Sequence, residues 1–117
     1  MNLKELYEEI EGDYDDVMGR FMSPEIVKRF VVKFLDDKSF GLLQTALQEN
    51  DDETAFRAAH TMKGVCQNLS FTKLFESSNA LTEALRGGRS EDADELNEKL
   101  ISDYQQTIDA IKNFVEQ

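Results

Sequence analysis

The chain has 117 residues, with 13 Lys and Arg against 24 Asp and Glu, a formal net charge of −11 and one cysteine. That length fits one domain with its own core and leaves no room for two; 40% apolar residues and a single proline exclude a disordered or collagen-like chain. A lone Cys66 excludes a disulfide framework and any multi-cysteine zinc or iron–sulfur site.

So acidic a surface repels nucleic acid and anionic lipid, which are held mainly by Lys and Arg, so neither is an expected partner. No stretch approaches the roughly 18 consecutive apolar residues of a membrane span. The start MNLKELYEEIEG has acids where a signal peptide needs an apolar run. A soluble, cytoplasmic, monomeric protein is expected. The start at Met1 and the end in a complete helical pattern favour a free-standing one.

Every segment of useful length has helical period, and none alternates in the manner of a strand. Leu3, Leu6, Tyr7 and Ile10 form a short stripe ending at Gly12, and Tyr14, Val17, Met18 and Phe21 form a second. Ser23-Pro24-Glu25 is a helix start: a hydroxyl cap, a proline in the first turn and an acid at the positive helix end. Val27, Phe30, Val31, Phe34, Leu43, Ala46 and Leu47 keep the period to about Asn50, with Asp37, Lys38 and Gly41 as points where the helix bends or breaks.

Asn50-Asp51-Asp52-Glu53 resembles a capping box and starts the next helix, which carries Phe56, Ala59, Met62, Cys66 and Leu69 on one face. Asn68 and Ser70 to Thr72 mark its end. Leu74, Ser78, Leu81 and Leu85 follow at helical spacing until Gly87-Gly88 stops the helix. Ser90-Glu91-Asp92 caps the last helix, with Leu96, Leu100, Tyr104, Ile108, Ile111 and Val115 on its apolar face. The acidic runs at Asp13 to Asp16 and Glu91 to Glu95 read as solvated helix starts.

The pattern predicts an all-α fold: an antiparallel up-and-down four-helix bundle over about 24–116, with one or two short N-terminal helices over about 2–22. The whole of 1–117 is expected to be a single domain.

Projected at about 100° per residue, the helix from about 52 to 69 has its apolar face centred on Ala55, Ala59, Met62, Cys66 and Leu69. His60, the only histidine, falls on the far side, sharing its face with Glu53, Arg57, Gly64 and Gln67. Lys63 lies between that face and the core. A mid-helix glycine costs about 0.8–1.0 kcal/mol relative to alanine. Gly64 points away from the core, so packing inside the bundle does not explain it. A bare patch one turn from an exposed imidazole lets a partner's backbone approach closely. Imidazole stays nucleophilic near neutral pH, and an ammonium one turn away offsets the charge of an attached anion. The helix offers no base, nucleotide pocket or metal cluster, so His60 reads as a group phosphorylated by others.

The run Ala59-His60-Thr61-Met62-Lys63-Gly64, followed by Asn68-Leu69, resembles the signature of histidine-containing phosphotransfer (HPt) domains of bacterial multistep phosphorelays. Length, helix order and acidic connections agree with that family from about Pro24 onward. The resemblance implies that His60 accepts the phosphoryl group, that Lys63 supports it electrostatically and that Gly64 gives clearance for docking. Gln67, one turn further on, matches a polar position able to contact the phosphoryl group. It implies response-regulator receiver domains and a hybrid histidine kinase as partners, with no cofactor on this chain and Mg²⁺ on the receiver. Met62 departs from the usual leucine, and Ser70 stands where glycine is common. Cys66 faces the core and reads as packing.

Three other functions share parts of this pattern. A histidine kinase needs an ATP-binding module, and no Gly-rich loop follows a strand here. A di-iron or di-manganese bundle needs Glu-x-x-His pairs, and Arg57 stands three residues before the only histidine. A non-catalytic helical adaptor that binds receiver or kinase domains would have the same bundle, but has no reason to keep His60, Lys63 and Gly64 together.

Overall fold

A computed structural model describes residues 1–117, and its chain folds into seven α-helices with no strand. In chain order these are α1 (Leu3–Glu9), α2 (Tyr14–Phe21), α3 (Pro24–Lys33), α4 (Ser39–Gln48), α5 (Asp52–Asn68), α6 (Thr72–Leu85) and α7 (Ala93–Glu116). Helices α4 to α7 are the antiparallel bundle, as expected from the period of the sequence. The first bundle helix is broken: α3 passes through a 3-10 turn at Phe34–Asp36, and the chain extends at Asp37 before α4. The Asp37 carboxylate accepts hydrogen bonds from the Ser39 backbone N–H at 2.9 Å and from the Ser39 hydroxyl. Such a side chain competes with the helix for its own backbone, and so it fixes the break.

The caps explain the other boundaries. Asn2 and Glu5 exchange side-chain-to-backbone bonds in a capping box, and Ser23 accepts from the Ile26 N–H ahead of Pro24. The start of α5 differs from the expected box. Asp51 is the cap, accepting from the Thr54 N–H at 3.1 Å, while Asn50 is left-handed at φ 57° and closes the preceding turn. At the other end of the bundle α6 stops at Leu85, before the two glycines. Asp92 flanks α7 without a side-chain cap, because its carboxylate accepts from the Ser90 hydroxyl instead.

One cluster of 26 buried apolar residues runs through the molecule. α5 packs between α4 and α6, and α7 lies against α6, α3 and α1. The seam between α4 and α7 is closed by Phe40 stacked on Tyr104, with centroids 3.8 Å apart, and by reciprocal amide bonds between Gln44 and Asn97. On α7 the buried apolar face runs through Leu100, Ile108, Ile111 and Phe114; Val115, expected inside, is 44% exposed. The face also carries Asp103, nearly fully buried, paired with Lys99 at 2.6 Å and facing Lys73 at 3.8 Å. A buried carboxylate is tolerable only with such partners.

The short N-terminal helices hold the turn between α5 and α6. The Tyr7 hydroxyl donates to the Leu69 carbonyl at 2.7 Å, and the Asp13 N–H donates to the Ser70 carbonyl at 2.8 Å. Arg20 donates to the Asn68 carbonyl and to the Ser70 hydroxyl, which itself donates to Asp16 at 2.6 Å. These bonds from Ser70 and then Arg20 hold the Asp16 carboxyl below the usual range. The acidic run at Asp13 to Asp16 is therefore more than a solvated helix start. A Cβ at Gly12 would stand 2.8 Å from both the Ser70 carbonyl oxygen and the Tyr7 ring, so only glycine admits this close approach. Ser70 sits at φ 56°, a left-handed position that its tied hydroxyl supports.

Burial pushes the Tyr7 hydroxyl well above its ordinary pKa, so it stays a protonated donor. Tyr7→Phe leaves the Leu69 carbonyl without this bond. It should lower the unfolding free energy by about 1–3 kcal/mol in urea denaturation, with the slope unchanged.

Candidate functional site

α5 is built to show one face to water. Alanines at 55, 58 and 59 favour the helix and let its neighbours approach closely, and Met62, Cys66 and Leu69 continue the same buried stripe. Burial raises the Cys66 thiol pKa and leaves it protonated, which suits packing and not redox chemistry. With that stripe inside, His60, Gly64 and Gln67 emerge on the opposite face, all exposed, and Lys63 stands half-buried at its edge. The four residues singled out from the sequence thus share one surface.

No ion pair in the structure includes His60 or Lys63, so both are free for an incoming anion. Arg57 is held by Glu53 at 2.8 Å on the same helix face. A Cβ added at Gly64 would meet no atom within 4 Å, so this glycine serves no packing within the chain.

A family model described as Hpt domain matches residues 34–114. The chain belongs to the Hpt domain family. Comparisons with curated proteins and with solved structures find no match. Hpt domains act in histidine phosphotransfer within phosphorelays, where they meet receiver domains and kinases. The segment matching the Hpt domain takes in the 3-10 turn and α4 to α7, and with them His60, Lys63, Gly64 and Gln67. Helices α1 to α3 precede it. No helix of the chain is long and apolar enough to cross a membrane.

Beside the Hpt motif residues lies a group that the sequence reading did not assemble. Phe56, expected on the core face, is only partly buried. It lies nearly parallel to the His60 ring, with centroids 6.0 Å apart and planes 15° apart. The Arg86 guanidinium stands over Phe56, 5.0 Å from its centroid, and pairs with Glu83 at 2.7 Å. Hydrogen bonds from Arg86 hold the Glu83 carboxyl below its ordinary range, with smaller contributions from the charges of Lys63 and His60. These residues end α6, and their nearness to His60 follows from the antiparallel pairing of α5 with α6. A hairpin register read outward from the turn at Ser70 was the available signal.

Because Gly64 is exposed in mid-helix and its Cβ position is open, Gly64→Ala should stabilise the fold by about 0.8–1.0 kcal/mol. Thermal unfolding followed by circular dichroism measures this.

Proposed function

We propose that this Hpt domain relays phosphoryl groups through His60, accepting from the aspartate of one receiver and delivering to another. The observation that carries this reading is the exposed, unpaired imidazole beside the open surface at Gly64. A receiver docks over that face. The unprotonated nitrogen of the imidazole attacks phosphorus in line, the N–P bond forms as the P–O bond to the aspartyl oxygen breaks, and aspartate leaves as a carboxylate. The other ring nitrogen keeps its proton. The Lys63 ammonium faces the transferred charge, and the Gln67 amide offers a donor one turn further on. The receiver supplies Mg²⁺, and delivery to the second receiver is the same step reversed. A hybrid histidine kinase upstream, a monomeric state and a cytoplasmic location belong to the same reading.

Phosphorylation by a small phosphoramidate or a phosphorylated receiver tests it. Intact mass should show one acid-labile phosphoryl group on the wild type and none on His60→Gln. A protein that takes no label, while an active relay domain does, is instead an adaptor that binds receivers or kinases.

Lys63→Ala should slow transfer about tenfold, equivalent to about 1.4 kcal/mol, with receiver affinity little changed. Gly64→Gln should fold normally and lose transfer through bulk at the docking face; transfer at the wild-type rate would place docking elsewhere.

A further inference from the structure

Glu83, Arg86 and Phe56 have no part in the relay just described, yet Phe56 lies alongside the imidazole, Arg86 over Phe56, and Glu83 on Arg86. Arg86 ends α6 with its backbone already extended, and Gly87 and Gly88 follow at φ 75° and 131°. Its guanidinium lies over the Phe56 ring, and that same ring lies alongside the His60 imidazole. The Glu83–Arg86 pair is about half exposed on both sides. An exposed pair between neighbours on one helix is a weak interaction, and a guanidinium prefers a dianionic phosphoryl group, which it can grip with two N–H donors.

Resting on the assignment of His60 as acceptor, we propose that Arg86 is a second cation for the phosphoryl group, held in reserve by Glu83. In the unmodified protein Glu83 neutralises Arg86 and Phe56 shelves it. When His60 carries a phosphoryl group, that anion competes with Glu83 for the guanidinium. Arg86 swings across the Phe56 edge and leaves Glu83 to solvent. The remaining charges around the imidazole are Lys63 at the face's edge and Arg57, which Glu53 holds. No bond to phosphorus is made or broken in this exchange; it changes only which anion the guanidinium meets.

A ³¹P NMR pH titration of phosphorylated His60 reads the exchange, because a cation near the phosphoryl group disfavours protonation of that group and of its imidazole ring, and so lowers the midpoint. Arg86→Ala should raise the midpoint by about half a pH unit or more, and Arg86→Lys should recover part of that shift. Glu83→Gln, which frees Arg86 and also removes an anion near His60, should lower the midpoint, and that effect should shrink in the Arg86→Ala background to the part due to the lost carboxylate alone. A merely structural role for Arg86 would leave the midpoint in place. Midpoints unchanged in Arg86→Ala, or a Glu83→Gln effect just as large without Arg86, would overturn the proposal while leaving His60 as the acceptor. A wild-type protein with no phosphoramidate signal would overturn both.

Discussion

The rotation of α5 about its own axis is the constraint on which the rest of this molecule depends. Its buried stripe combines three alanines with Met62, Cys66 and Leu69, and it is gripped between α4 and α6. Turning the helix enough to shelter His60 would bring those apolar side chains into water and push Glu53 or Arg57 toward the core, each costing kilocalories. The imidazole is therefore held outside by the side chains buried on the opposite side of its own helix. A reactive group on a rigid helix keeps its place, whereas one on a loop must be ordered at each encounter.

The end of α5 is secured from an unexpected quarter. The segment matching the Hpt domain starts at Phe34, but the turn that follows α5 is bonded by Tyr7, Asp13, Asp16 and Arg20, all from α1, α2 and the loop between them. Gly12 permits the close approach, and Ser70 takes a left-handed backbone with its hydroxyl tied to Asp16. The departure from glycine at position 70 is thus compensated by neighbours. The N-terminal helices thus hold the backbone from Asn68 to Ser70, at the end of the helix that carries His60.

Electrostatically the site is an exception on an acidic protein. The formal charge is −11, yet the exposed face of α5 and the end of α6 present Arg57, Lys63 and Arg86 near one exposed imidazole. Two of these cations are occupied by carboxylates on their own helices, and Lys63 is not. Pairing of this exposed kind keeps the local charge low before phosphorylation and yields readily to a stronger anion.

The sequence by itself determined the helical class, the bundle and the face on which His60, Lys63, Gly64 and Gln67 lie. Helical period is a local property, and an apolar stripe has only one stable way to face. The same local logic placed the starts at Ser23 and after Asn50 to within a residue, and left the region of Asp37 to Gly41 open, because the break there is held by bonds to one short side chain, Asp37, that leave the apolar period unchanged. Tertiary structure alone decided what stands beside the site. The nearness of Glu83 and Arg86 to Phe56, the approach of Lys73 to Asp103, and the hold of α1 and α2 on the α5–α6 turn all join residues far apart in the chain. No periodicity reports such neighbours, because they are fixed by how whole helices pack and not by the order of residues within any one of them.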